Sequence, residues 1–434
     1  MLDFTKLREQ IKPPNRIPLD NAAHFFPGVS TTSDTWVFHL TCELTEKVDP
    51  WILQYATEDA LSHYPLYRSV IHKGFFWYSL EGSNQKPIVR EESDSPCHSL
   101  YNRKRKSLQF LVSYRDKRIN LEVYHVLADG LGALSYFKLL IACYLVRSHP
   151  DCGLDIDSLK EELLPKSANE DAFQAYYSGI PMRDALKDQK VAEQHRLWKE
   201  RGYKLKGKHM KRCQIKQFVG IADIDSILNK AHEYDVTITV FLTAILMIAV
   251  QRMILDKSNN KPIVVNIPVN LRKYFPSKSA RNFFQAVNVG HYFSKDTEEL
   301  SDVISDINTQ LARELTPESL TTRMNMLCAF ERSPFLRLIP RFGKDIALRI
   351  AGKFGAIHTT SISNLGQIIM PQELRKYINL FDFTTSTQGM QLNVCSYETQ
   401  FVMNISSQLE STIIQEEFFR ILSELGITTR ITNT

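Results

Sequence analysis

Tyr124-His125-Val126-Leu127-Ala128-Asp129-Gly130 joins a β-rich run to a helical one. Two extended runs, Leu108–Tyr114 and Ile119–Val126, flank Arg115-Asp116-Lys117-Arg118, which is a hairpin signature. His125 falls at the end of the second run. Asp129-Gly130 then turns the chain into a helix expected from about Leu131 to Arg147, stopping before Pro150. A histidine at a strand end beside a glycine turn can project into a cleft at the sheet's edge. Its imidazole, ordinarily titrating near pH 6.5, can accept a proton at neutral pH.

A lone His-x-x-x-Asp-Gly string also fits a structural or surface role. A metal site built on His125 and Asp129 lacks a second histidine cluster at ligand spacing, so none is expected. A serine hydrolase would show a Gly-x-Ser-x-Gly elbow, and the sequence has none.

Strands and helices continue on both sides. Trp36, Phe38, Leu40, Cys42 and Leu44 alternate as in a half-buried strand. Asp49–His63 reads as a helix, with Asp49 as N-cap and Pro50 in the first turn. Residues 150–215 are less periodic and more charged. Beyond them, helices are expected over Asp223–Tyr234, Thr237–Leu255, Glu298–Glu314, Pro317–Phe330, Phe335–Lys353 and Thr412–Leu425, the last ending at Gly426. Strands are expected at Pro262–Asn270, Phe284–Phe293 and Thr359–Ser363, with a hairpin formed by Gln391–Tyr397 and Phe401–Gln408. No repeat of 20–50 residues occurs.

The 434 residues suit two domains of roughly 200 each. Hydrophobic residues at 43% and charged residues at 23% describe a globular protein. A net charge of +5 is too small for a nucleic-acid binder and compatible with an anionic small ligand. The seven cysteines lack any C-x-x-C pair, which argues against a disulfide framework or zinc site and suits a reducing cytoplasm. MLDFTKLREQIKPP has no apolar core of a secretory signal. The most apolar stretch, Val236–Val250, is too short for a membrane span and reads as a buried helix.

The motif resembles the His-His-x-x-x-Asp-Gly signature of the chloramphenicol-acetyltransferase-like superfamily, with Tyr124 replacing the first histidine. That superfamily includes condensation domains of peptide synthetases and alcohol acyltransferases. The likeness extends, in the family's order, to Pro18-Leu19-Asp20-Asn21-Ala22-Ala23, Ile267-Pro268-Val269-Asn270-Leu271-Arg272, Phe275-Pro276-Ser277, Arg281-Asn282-Phe283 and Ser361-Ile362-Ser363-Asn364-Leu365-Gly366. The bacterial alcohol-acetyltransferase-like members are most similar. The plant branch's Asp-Phe-Gly-Trp-Gly is absent; Asp382-Phe383-Thr384 does not replace it.

The resemblance implies an α/β fold of two lobes with mixed sheets and an active-site tunnel between them. The expected divisions are residues 1–165, a linker over 166–214, and 215–434. It implies His125 as general base, Asp129 as a structural support paired with Arg272, and Gly130 as the residue allowing a tight turn. Ser361, Ser363, Asn364 and, more weakly, Asn270 are candidates to face the oxyanion. Ser363-Asn364 equally suits a turn before Gly366. The implied reaction is acyl transfer, acetyl included, from acyl-CoA to an alcohol hydroxyl through a ternary complex, with a small alcohol or amine as the expected acceptor. CoA acts as co-substrate, with no permanently bound cofactor. One alternative takes the acyl group from a phosphopantetheine thioester on an acyl carrier protein. Another is a catalytically silent binding member. The basic runs Arg103–Lys106 and Lys204–Lys216 suit solvated loops, and the second could also attract the phosphates of CoA. Without aromatic interleaving, neither indicates nucleic acid.

Overall fold

The computed structural model describes residues 16–433 except 94, 157–158, 160–162, 164–166, 168, 188–200, 211–213, 255–259, 294–298 and 356. The readings of the N-terminal 15 residues, and of Lys211, Arg212 and Cys213, lie outside the described residues.

The first half begins with strand β1 (Ile17–Pro18), the one-turn helix α1 (Phe26–Val29) and strand β2 (Val37–Leu44), where alternation predicts it. Helix α2 (Pro50–His63) starts as its sequence dictates: the Asp49 carboxylate accepts from the Trp51 and Ile52 N–H groups. Strands β3 (Ser69–Lys73), β4 (Tyr78–Gly82), β5 (Arg90–Glu91), β6 (Phe110–Arg115) and β7 (Arg118–Tyr124) follow. β6 and β7 form the expected hairpin, pairing Phe110 with Val123 and Arg115 with Arg118. Helix α3 (Gly130–Ser148) is capped by Asp129, whose Oδ1 accepts from Gly132 N–H. It is long and apolar enough to span a bilayer, yet most of it is buried in protein, as befits a core helix.

α4 (Ala172–Tyr176) lies within the expected linker, and after it come β8 (Lys216–Asp223), α5 (Ile224–Glu233), α6 (Ile238–Met253), β9 (Ile263–Asn270), β10 (Phe284–His291), α7 (Leu300–Glu314) and α8 (Pro317–Arg332). Next come α9 (Pro334–Leu338), α10 (Arg341–Gly355), β11 (Thr360–Ile368), α11 (Gln372–Arg375), β12 (Ile378–Thr385), β13 (Met390–Tyr397), β14 (Gln400–Ser407), α12 (Ile413–Glu424) and β15 (Arg430–Asn433). α6 is the all-round buried helix expected from its run of Val, Ile, Leu and Met.

Two mixed sheets organise these elements. One has the order β12-β2-β7-β6-β5, the other β10-β9-β11-β13-β14-β8-β15; a small third sheet is β1-β4-β3. One hydrophobic core joins β2, β7, α2 and α3; another joins α6, β9, β11, β13, β14 and α12. This is the expected α/β arrangement with mixed sheets. β12 belongs to the second half of the sequence but pairs antiparallel with β2, matching Phe383 to Leu40 and Thr384 to His39. The next strand, β13, returns to the larger sheet beside β11. Residues 386–389 therefore stitch the two sheets together.

Three expectations are corrected. The helix predicted over Phe335–Lys353 is broken into α9 and α10 at Ile339-Pro340, because proline lacks the N–H and its ring clashes with the preceding turn. β11 does not stop at Ser363. It continues to Ile368 because Gly366, at φ +75°, absorbs a bulge in the pairing with β13. Finally, β3, β4, β8, β12 and β15 are strands where none was expected.

Candidate active site

His125 follows β7 directly, and its backbone N–H donates to Trp36 O at 2.9 Å, fastening the motif to the chain entering β2. The imidazole lies among aromatic rings. Phe26 stacks on it at 4.1 Å between centroids, with Phe38 at 4.4 Å and Phe284 at 5.2 Å. The residue as a whole remains partly exposed. Burial makes the charged form costly and lowers its pKa to about 4. The nearby Asp129 charge and the Asn282 side chain act in the opposite direction but do not outweigh burial. The ring is therefore neutral at physiological pH.

Its tautomer follows from the partners of Asn282. The Asn282 Nδ2 group donates to Asp20 Oδ2 at 3.2 Å and to His125 O at 3.1 Å. Two acceptors identify that end as NH₂, so Oδ1 faces His125 Nδ1 at 2.9 Å as an acceptor. Nδ1 must then carry the proton, leaving the Nε2 lone pair available. The result is a chain Asp20–Asn282–His125. Asp20 is itself buried, with its pKa pushed up to about 6 by burial against the opposing pull of Arg281. Its Oδ1 accepts from Ala23 N–H at 2.8 Å, which fixes its orientation.

Asp129 sits on the other side of the motif, 143 residues from Arg272 in sequence and joined to it at 2.7 Å. Its Oδ2 also accepts from Phe283 N–H at 2.8 Å. Arg272 donates further to Ser279 O at 3.0 Å and Arg281 O at 2.5 Å. The ion pair therefore clamps residues 279–283, the loop that presents Asn282 to His125. Asn270 serves this clamp: its side chain accepts from Arg272 N–H at 3.0 Å.

Gly130 does not adopt a left-handed conformation. A Cβ there would meet only the flexible end of Leu365, at 2.9 Å. The glycine that the geometry demands is Gly132, where a Cβ would lie 1.9 Å from Ala280 O. The helix and the 279–283 loop approach so closely that only hydrogen fits. Gly132→Ala is expected to push the loop away, destabilise the fold by about 1–3 kcal/mol, and lower turnover as Asn282 shifts. Chemical denaturation and steady-state kinetics would check this.

On β11, Ser361 and Ser363 alternate with the buried Ile362 and so lie on the sheet face opposite α6. Asn364 lies on the α6 side, donating to Thr239 Oγ1 at 3.1 Å and accepting from Gly366 N–H at 2.7 Å. Its side chain shapes the bulge and is directed away from the face that carries the two serines. Tyr124, which stands where the motif it resembles has its first histidine, is buried and shares a hydrogen bond with Ser30 at 2.7 Å. It thereby ties the end of α1, and hence Phe26, to the motif.

Asn282, Asp20 and Gly132 were not singled out from the sequence. The first two stand inside the blocks Arg281-Asn282-Phe283 and Pro18-Leu19-Asp20. The sequence signal available was their place inside those blocks.

A sequence model of the family described as alcohol acetyltransferase matches residues 209–423. No curated protein matches the chain. Among solved structures, polyketide synthase associated protein 5 from Mycobacterium tuberculosis is 14% identical with a TM-score of 0.60, covering 95% of this chain and 98% of that one. Trichothecene 15-O-acetyltransferase from Fusarium sporotrichioides is 11% identical, TM-score 0.61, with 94% of each chain covered. The first condensation domain of the CDA synthetase is 13% identical, TM-score 0.60, covering 95% and 97%. The fold is thus one this chain shares with solved acetyltransferase and condensation-domain structures. The family match supports acyl transfer as the class of reaction.

Proposed function

For a chain whose residues 209–423 match the alcohol acetyltransferase family, we propose O-acyl transfer from acyl-CoA to an alcohol, with His125 Nε2 as general base. The observation that carries this reading is the hydrogen bond from His125 Nδ1–H to Asn282 Oδ1, which leaves the opposite nitrogen unprotonated. The acceptor hydroxyl gives its proton to Nε2 as its oxygen attacks the thioester carbonyl. The collapsing tetrahedral intermediate expels the CoA thiolate, which the imidazolium reprotonates. In that cycle Asn282 and Asp20 stabilise the transient imidazolium and hold the ring's orientation. Asp129 and Arg272 act at one remove, by fixing the loop that bears Asn282. Ser361 and Ser363 are the candidates to donate to the oxyanion. Support for CoA as co-substrate comes from a structural neighbour, a Fusarium graminearum protein solved with coenzyme A and T-2 mycotoxin.

The test is thiol release from acyl-CoA in the presence of a panel of alcohols and amines. Alcohol-dependent release supports the reading. Activity confined to an acylated carrier protein would move the donor to that class. No turnover with any donor would overturn it.

Two further outcomes are expected. Because the base must be neutral and its pKa is about 4, kcat/KM should fall on the acid side near pH 4 and stay level between pH 6 and 8. An unperturbed histidine would instead lose activity near pH 6.5. In Asn282→Ala the Nδ1 proton loses its acceptor. Turnover should drop by about 10–10²-fold, with KM for the acyl donor nearly unchanged. The acid limb should move to still lower pH, since Asn282 favours the protonated ring.

A further inference from the structure

Helix α10 is inside out for a surface helix of a water-soluble domain. Its inward side carries the charges: Arg341 donates to Gly74 O at 3.1 Å, Lys344 to Phe76 O at 3.0 Å, and the buried Asp345 accepts from Tyr78 at 2.7 Å. Its outward side is apolar. Phe342, Ile346 and Ile350, spaced i, i+4, i+8 on one face, are 63%, 53% and 53% exposed. Phe335 and Leu338 on the preceding α9 are 74% and 73% exposed. Phe75, 70% exposed, stands at the start of α10, its carbonyl accepting from Arg341 N–H at 2.9 Å. Isolated exposed apolar residues are common, but a continuous row along two consecutive helices marks an interaction surface.

The charge around this row narrows the partner. Residues 332–353 hold six Lys and Arg against one Asp; of these, Arg341, Lys344 and Arg349 are bonded on the inward side, while Arg332 and Arg337 are exposed. Arg337 is exposed between Phe335 and Leu338. Next to the Phe75 turn, the exposed Lys73 side chain contacts the backbone of Arg103, which opens the exposed run Arg103–Lys106. Exposed aromatic and aliphatic side chains rimmed by cations suit a bilayer whose headgroups are anionic. A second copy of this chain would set the same positive charge against itself.

We propose that the outward face of α9 and α10, with the Phe75 turn, docks on an anionic membrane surface. The helices lie in the headgroup layer without spanning it. The docking has a bearing on the site. The inner side of α10 packs on α1, where Gly28 meets Asp345 and Leu348, and α1 supplies the Phe26 ring that covers His125. An apolar acceptor dissolved in the bilayer would thus meet the protein next to its reactive imidazole. The docking itself stands apart from the reading of His125, and its test needs no turnover.

The experiment is co-sedimentation of the full chain with vesicles of phosphatidylcholine alone or mixed with phosphatidylglycerol. Binding is expected to the mixed vesicles, weakened by salt. Phe342→Gln with Ile346→Gln should reduce it by about tenfold or more, with the thermal melt preserved because both positions are exposed. Failure to bind either vesicle would overturn the proposal. So would binding that ignores lipid charge or the double substitution. A concentration-dependent dimer abolished by the same substitutions, without vesicle binding, would assign the face to a second copy and overturn it as well.

Discussion

His125→Ala is expected to lower kcat by about 10²–10⁴-fold, the contribution of a positioned base, while leaving KM for the acyl donor close to the original. Only the proton acceptor is lost; the walls formed by Phe26, Phe38 and Phe284 remain. The alanine also leaves Asn282 Oδ1 without its partner and opens a hole beside Phe26, so some stability is lost. His125→Gln separates the two effects. It returns a polar side chain of similar reach yet cannot accept a full proton at neutral pH. Turnover should stay as low as in the alanine variant while the unfolding midpoint recovers. Activity of His125→Gln near the original level would exclude the imidazole as base.

Asp129→Ala is the largest expected loss of stability. It removes one member of a largely buried ion pair and leaves Arg272, whose side chain is 13% exposed, without its counter-charge. Breaking such a pair typically costs about 3–5 kcal/mol. The same carboxylate caps α3 through Gly132 N–H and holds Phe283 N–H, so one change removes three contacts. Arg272→Met should cost a similar amount and release residues 279–283, whose carbonyls it gathers. The double variant should be much less destabilised than the sum of the two, because neither charge is then stranded. Denaturant titration of the four proteins measures this coupling. An additive result would mean that the pair contributes little.

Much of the scaffold was readable because local rules agreed with it. The Arg115–Arg118 turn between two extended runs is a hairpin, and Asp49-Pro50 starts a helix, through physics confined to a few neighbouring residues. What was missed depends on partners remote in sequence. Nothing within Ile378–Thr385 says that it will cross to β2. Pro340 was a visible stop signal that the periodicity on either side obscured. Gly130 was favoured for a turn that its backbone does not make, whereas Gly132 is required by Ala280 O, a group 148 residues away.

The site divides in the same way. His125 follows from its place at a strand end, and the pairing of Asp129 with Arg272 was expected only through resemblance to a family. Asn282 carries no sign of its role until Arg272 folds the 279–283 loop against the motif. Its amide then decides which imidazole nitrogen holds the proton. The reversed polarity of α10 was likewise hidden. Amphipathic spacing shows that a helix has two faces but does not say which one turns inward.

The central claim is that burial and Asn282 keep His125 neutral, with its lone pair on Nε2. Nitrogen-15 NMR of the histidine ring across a pH titration tests this directly. The expected result is a protonated Nδ1 and an unprotonated Nε2 throughout the neutral range, with the ring titrating only near pH 4. A proton on Nε2 at neutral pH, or titration at 6.5 or above, would contradict it.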